Sequence, residues 1–441
     1  MTPALEGKNA LVLGLGRSGK AAVRLLARER ARVFGADEGR PDLAGLEGLA
    51  APARVGEAGF ATEGHDLVVL SPGVPRAHPD VARAVAQGTP VVGEVELASW
   101  FLDAPIVGIT GTNGKSTTTA LCGEMFRAAG RKVFVGGNLG TPLCDAVGGR
   151  WDALVVELSS FQLESVDRLR CRVGAFLNLT PDHLDRYAGA ADYAAAKARL
   201  FERLEASGAA VLNGEDPWSE RMAAVTKARR LDFALELPGA AGRPAEGGLE
   251  LELEAGRPER YRLRNPALRG AHNLANALAA GLAARALDVP PDAVQRALDG
   301  FAGLPHRLER IRVRDGVEWI NDSKATNVDS TAVALRAIPG PIWWIAGGRG
   351  KGAPYAPLRP LLDGRAKGLL LVGEDAERIG RELAGVGPVA PVGTLEAAVR
   401  EAASRARSGE TVLLSPACAS YDQFQNYAER GDRFRQLVTE L

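Results

Sequence analysis

Short apolar runs recur along the chain. Each is closed by a glycine-rich or polar turn, and most are followed by a stretch with helical spacing. Residues 10–13, 32–37 and 66–70 are predicted strands in the first segment, with Ala21, Ala22, Leu25 and Leu26 forming a helical stripe between the first two. Residues 106–109, 152–156 and 173–179 are further apolar strands, and 192–201 is an alanine-rich helix. Residues 238–260, rich in Gly, Glu and Pro, read as surface turns or a hairpin, and a second alanine-rich helix opens at 270–276. Later strands begin at Trp319, Trp343 and Val412. Strands alternating with helices predict an α/β fold whose loops gather at one sheet edge. A length of 441 residues suggests two to four domains, and no solenoid repeat is visible.

Composition narrows the class. The 54 basic and 54 acidic residues cancel, which argues against a nucleic-acid or membrane-surface partner. No apolar run approaches the roughly 18 residues of a membrane span, and the opening residues lack the pattern of a signal peptide. Cys122, Cys144, Cys171 and Cys418 are far apart, as expected of buried reduced thiols in a cytoplasmic protein. Only nine of the 54 basic residues are lysines, so a lysine inside a motif stands out.

Three loops have phosphate-handling chemistry. Gly14-Leu15-Gly16-Arg17-Ser18-Gly19 follows the first strand, Asp37 ends the second, and Gly73 follows the strand 66–70. Glycines there let backbone approach a phosphate at a helix start, and alone this segment suggests an NAD-dependent oxidoreductase. Thr110-Gly111-Thr112-Asn113-Gly114-Lys115-Ser116-Thr117 is a variant phosphate loop, with Ile109 where the strict spacing wants glycine. Its glycines expose N–H groups, Lys115 offers positive charge, and Ser116 or Thr117 offers a hydroxyl for Mg²⁺. Glu157, ending a strand, suits the same metal. His183, in the loop 180–187, is either structural or part of the site, and Lys197 reads by pattern alone as a solvated helix face. Asn273 and Asn276 share one face of a helix start, and capping accounts for only one of them. The third segment holds Leu304-Pro305-His306-Arg307, Asp322-Ser323-Lys324-Ala325-Thr326-Asn327, Gly347-Gly348-Arg349-Gly350-Lys351-Gly352 and the stretch 420–427. A dehydrogenase leaves the phosphate loop and Glu157 unexplained. A nucleotide switch that hydrolyses ATP without making a bond is the other competing class.

Together these motifs resemble the Mur ligases, ATP-dependent amide-forming enzymes of peptidoglycan synthesis, along essentially the whole chain. The resemblance implies three domains: a Rossmann-like UDP-binding domain (1–93), a central P-loop ATPase-like domain (94–302) and a C-terminal Rossmann-like domain for the amino-acid acceptor (303–441). The opening glycine motif, residues 322–327, and the stretch 420–427 with Arg430 and Gly431 resemble the members that add D-glutamate to UDP-N-acetylmuramoyl-L-alanine. By that resemblance Arg17, Ser18, the region of Asp37, Gly73 and Asn138 bind the UDP substrate. Gly111, Thr112, Asn113, Gly114, Lys115, Ser116 and Thr117 hold ATP, and Ser116 and Glu157 hold Mg²⁺. His183 and a carbamylated Lys197 serve a second Mg²⁺, His183 also meeting the substrate. Asn276 and Arg307 contact adenine, and Asp322 and Lys324 reach ATP. Asn273 and His306 match family positions without a separate role. Thr326, Lys351, Ser420 and Tyr421 receive D-glutamate, with Tyr427 in support. The resemblance further implies an acyl-phosphate route that releases ADP, domain closure, and a monomer.

Overall fold

Where apolar residues run without alternation, the chain forms parallel strands buried on both faces, as in Leu67–Leu70, Ile106–Thr110 and Ala153–Glu157. The computed structural model describes residues 4–46, 48–180, 182 and 186–441. Contacts divide it into two compact units. Met1–Arg264 with Asn273–Gly300 make the first, and Asn265–His272 with Phe301–Leu441 make the second.

The first unit holds two sheets. One is wholly parallel, in the order Arg54–Val55, Arg32–Asp37, Asn9–Leu13, Leu67–Leu70, Val91–Gly93. That is the doubly wound order, and strand direction of travel reverses beside Asn9–Leu13, where ligand crevices form. The helix Arg17–Arg28 buries Ala21, Ala22, Leu25 and Leu26 as its spacing predicts. The other sheet has nine strands among the described residues. Its parallel part runs Arg229–Phe233, Leu204–Asn213, Cys171–Phe176, Ile106–Thr110, Ala153–Glu157, Val133–Gly137. Thus the strand leading into the phosphate loop lies between the strand ending on Glu157 and the strand preceding residues 177–180.

Two details differ from the sequence expectations. The strand predicted over 173–179 is Cys171–Phe176: Leu177 N–H still donates to Thr110 O of the adjacent strand, but the next two residues bond with neighbouring loops, Asn178 accepting from Thr112 N–H and Leu179 N–H donating to Asp216. Within 238–260 the hairpin reading holds. Gly242–Ala245 and Gly248–Leu251 pair antiparallel, and Glu259–Arg262 adds the edge strand.

The second unit has a six-stranded sheet: Glu309–Arg314, Val317–Asn321, Thr411–Leu414, Ile342–Gly347, Ala366–Val372, Val389–Gly393, parallel except for the first. Successive strand residues face opposite layers. Ile320, Trp344 and Leu413 pack against Val328, Leu335 and Ile379 on one side. Trp319, Ile345 and Leu414 pack against Val399, Phe434 and Val438 on the other. Each fully buried side chain of this kind contributes about 1.5–3 kcal/mol, so helices on both faces hold the sheet rigid and leave its loops to carry chemistry.

Candidate functional site

The phosphate loop joins Ile106–Thr110 to the helix Lys115–Ala128. Gly114 caps that helix with φ of 85°, a left-handed value that side chains rarely adopt. A Cβ there would also strike Asn276 Oδ1. The first turn of the helix points backbone N–H groups toward the loop, a ready site for phosphate. Gly114→Ala should therefore lower nucleotide affinity about tenfold or more, given about 1–3 kcal/mol of backbone strain. Calorimetry with ADP tests this, and unchanged affinity would contradict it.

Two lysines converge on this loop. Lys115 Nζ donates to the carbonyls of Gly111 (2.9 Å) and Thr112 (2.8 Å), and Lys197 Nζ donates to Gly111 O (2.8 Å). Lys197 corrects the solvated-face expectation, for it is 1% exposed. Tyr193, Lys197, Leu200 and Phe201 share the inward face of the helix Ala190–Glu202, and the Tyr193 ring lies 4.3 Å beneath the Lys197 amine. Burial, and then the nearby Lys115 ammonium, hold that amine well below the usual lysine range.

Glu157 is 2% exposed. Its Oε1 accepts from Asn138 Nδ2 at 2.6 Å, while its buried Oε2 has no hydrogen-bond partner among the described residues. A buried, uncompensated carboxylate oxygen fits a hard cation. Ser116, also buried, is the second residue of the helix Lys115–Ala128. His183 lies outside the described residues.

Asn276 sits against the phosphate loop, accepting from the Thr118 hydroxyl (3.2 Å) and donating to Asn273 Oδ1 (3.2 Å). This places Asn273, for which the sequence offered no separate role, as the support of Asn276.

At the first sheet, the loop 14–18 and the loop 71–73 adjoin, tied by the Ser71 hydroxyl donating to Gly14 O (2.6 Å). Asp37 accepts from the N–H groups of Leu15 (2.7 Å) and Gly39 (2.8 Å), so its carboxylate shapes the glycine turn. Arg17 reaches across to Gly140 O (3.0 Å), in the loop that also carries Asn138. Ser18 stands partly exposed and Gly73 exposed at this rim. Arg186, which sequence reasoning passed over, forks onto Glu164 (3.2 and 2.6 Å) and donates to Pro72 O (3.0 Å), joining the loop beyond Asp182 to the Gly73 loop.

In the second unit, three adjacent strands end side by side. Asp322 is buried; its carboxylate accepts from the Ser415 hydroxyl (2.8 Å) and Leu308 N–H (3.2 Å). Burial pushes its carboxyl up to about 7 against the pull of those donors. Lys324 lies 3.9 Å over the Tyr427 ring, which pairs an expected ATP contact with an expected acceptor residue. His306, at φ of 63°, accepts Lys324 N–H on its carbonyl (3.0 Å) and Asn321 Nδ2 on its ring (3.0 Å), thereby setting the turn that carries Arg307. Arg349 and Ala419 form an antiparallel bridge, which draws the Lys351 loop to Ser420. A Cβ at Gly348 would strike Ala419 O, so glycine is required for that approach. Ser420 is buried, Thr326 and Tyr427 are partly exposed, and Lys351 and Tyr421 face solvent. Arg430, buried, donates to Ser323 Oγ (2.9 Å), Ser323 O (2.9 Å) and Cys418 O (3.2 Å), linking two of these loops. The four cysteines are buried and unpaired, as the sequence suggested.

Comparison with known proteins covers nearly the whole chain. The profiles of the Mur ligase MurD-like N-terminal domain, the Mur ligase middle domain and the Mur ligase glutamate ligase domain match residues 8–93, 109–284 and 306–418. The UDP-N-acetylmuramoylalanine--D-glutamate ligase of Anaeromyxobacter dehalogenans is 54% identical over 457 residues, covering 99% of each chain. The protein of the same name from Myxococcus xanthus is 50% identical over all of both chains. Among solved structures, a pseudomurein peptide ligase type C from Methanothermus fervidus aligns over 98% of this chain with a TM-score of 0.64 at 19% identity, a likeness of fold.

Proposed function

The chain belongs to the Mur ligase family, and from that premise we propose that it joins D-glutamate to UDP-N-acetylmuramoyl-L-alanine at the expense of ATP. The observation that carries the chemistry is the convergence of Lys115 and Lys197 on the phosphate loop beside a strand ending on buried Glu157. Its substrates are small molecules, and the family's ATP dependence brings Mg²⁺ with it. The division into a UDP-binding segment (1–93), an ATP-binding segment (94–302) and an acceptor segment (303–441) belongs to this proposal, as do the individual residue roles.

A carboxylate is a poor electrophile and repels a triphosphate, so both charges must be managed. Lys115 lies on the loop that would receive the phosphates, with N–H groups of the first helical turn beside it. Mg²⁺, held by Glu157 and the Ser116 hydroxyl, would supply charge neutralisation on the phosphate oxygens. The alanyl carboxylate attacks the γ-phosphorus and ADP leaves. The acyl phosphate then offers a good leaving group to the amine of D-glutamate, giving amide and phosphate.

A lysine ammonium is no metal ligand, so Lys197 fits a second Mg²⁺ only after modification. Burial holds its amine well below the usual lysine range, which favours that step: the nitrogen of the unprotonated amine bonds the carbon of CO₂, a proton departs, and a carbamate oxygen becomes available. Arg17, Ser18, Asp37, Gly73 and Asn138 are assigned to the UDP substrate, and Asn276, Arg307, Asp322 and Lys324 to ATP. Thr326, Lys351, Ser420, Tyr421 and Tyr427 are assigned to D-glutamate. We also assign the reaction to the cytoplasm and to a monomer, without nucleic-acid or membrane partners. No described helix is long and apolar enough to cross a membrane.

Phosphate release with UDP-N-acetylmuramoyl-L-alanine and each amino acid in turn tests the reading, with D-glutamate expected to be preferred over L-glutamate and L-lysine. Lys351→Ala should raise the KM for D-glutamate roughly 10- to 100-fold, as expected for one lost charge-assisted hydrogen bond. The KM values for ATP and the UDP substrate should barely move. Preferred use of L-lysine, or equal losses for all three substrates, would show that the acceptor site is misassigned.

A further inference from the structure

Asn178 makes three hydrogen bonds to two consecutive residues of the phosphate loop. Its carbonyl accepts Thr112 N–H (2.9 Å), its Oδ1 accepts Asn113 N–H (2.8 Å), and its Nδ2 donates to Asn113 O (3.1 Å). The side-chain amide thus pairs with both polar groups of Asn113, and a reversed amide would set donor against donor. Register explains the meeting. Thr110 and Phe176 are partners in the parallel ladder, so the two chains leave the sheet in step, and the residues just beyond face each other. Thr112 and Thr180 add a second tie: Thr180 N–H donates to Thr112 Oγ1 (3.1 Å).

The loop needs such ties. Gly111 and Gly114 have φ of 152° and 85°, so the segment between them is flanked by the two least constrained residues. Asn178 thus engages the Thr112 and Asn113 N–H groups and fixes the two residues that lead into Gly114 and the helix Lys115–Ala128.

We propose that Asn178 is a positioning residue for the reaction, holding Thr112 and Asn113 so that the N–H groups and the lysine beyond them meet the triphosphate. The inference rests on the reading of residues 111–117 as the ATP-binding loop. It concerns an asparagine that touches the loop and not the reacting atoms.

The test compares Asn178→Leu, which keeps volume but removes both side-chain bonds, with Asn178→Ala and with Lys115→Ala. ADP affinity is measured by calorimetry, KM for ATP and the UDP substrate by phosphate release, and amide exchange by mass spectrometry without nucleotide. Both Asn178 variants should weaken ADP and raise the KM for ATP roughly 10- to 100-fold, with the KM for the UDP substrate within about twofold. Exchange should accelerate in peptides covering 110–117 and 176–180 and stay unchanged in the first sheet. Wild-type ADP affinity in Asn178→Leu, or exchange raised throughout the first unit, overturns the inference. If Lys115→Ala also binds and uses nucleotide normally, the loop assignment itself fails. If Lys115→Ala is impaired and Asn178→Leu is not, only the role of Asn178 fails.

Discussion

Lys115→Ala is expected to lower ligation by about 10³-fold or more while leaving the fold in place. Phosphoryl transfer depends mainly on positioned charge, and removing one such charge or donor typically costs 10²- to 10⁵-fold. Its effect on stability should be small, because Gly111 O, one of the carbonyls that accept from it, keeps the Lys197 amine as a donor. The ammonium must exchange those carbonyls for phosphate oxygens, so the loss should appear in turnover as well as in ATP affinity. Single-turnover phosphate release, with circular dichroism and a thermal melt as fold controls, measures it. Near-normal ligation at saturating ATP would remove the phosphate-loop assignment.

The second large effect is expected at Lys197. Replacement by alanine should cut activity by about 10³-fold or more, comparable to the loss of a preorganised charge-stabilising group. Millimolar acetate should restore part of it by supplying the carboxylate oxygens that a carbamate provides. A label from ¹³C-bicarbonate should appear in the wild-type enzyme and not in the variant. Stability should move the other way. A lysine whose folded pKa is depressed binds fewer protons folded than unfolded, so it destabilises the fold at every pH below its unfolded value, and the penalty grows as pH falls toward the depressed folded pKa. Lys197→Met, similar in length and uncharged, should therefore be inactive yet melt at or above the wild-type temperature at pH 7. Full activity in either variant sinks the carbamate proposal. A large loss of melting temperature in Lys197→Met would mean that the amine is there for structure.

Much of the fold was legible in local pattern. Runs such as Leu67–Leu70 and Ile106–Thr110 can only be buried on both faces, which forces a parallel sheet with helices over it. The strand expected over 173–179 runs too far because Leu177 and Leu179 continue the apolar run on either side of Asn178; the partners of Asn178 and Leu179, the phosphate loop and Asp216, are set by tertiary structure. The helical pattern around Lys197 nevertheless carries the sign of its burial. Its neighbours at i−4, i+3 and i+4, namely Tyr193, Leu200 and Phe201, mark a buried stripe, and that signal was available. Arg430 had no such signal, since its acceptors are main-chain and hydroxyl oxygens of residues distant in sequence.

What the sequence determined by itself is the kind of chemistry: glycines where backbone must approach a ligand, a lysine and a hydroxyl at a helix start, acids at strand ends. These depend on covalent geometry and on interactions within a few residues, which the sequence carries directly. Only the tertiary structure decided which strand ends are neighbours. Strand order put Glu157 and Asn178 on either side of the phosphate loop, turned Arg17 onto Gly140 O, and buried Lys197 against Gly111 O. Those outcomes depend on pairings between residues tens of positions apart, fixed by the packing of whole sheets, and no local spacing encodes them.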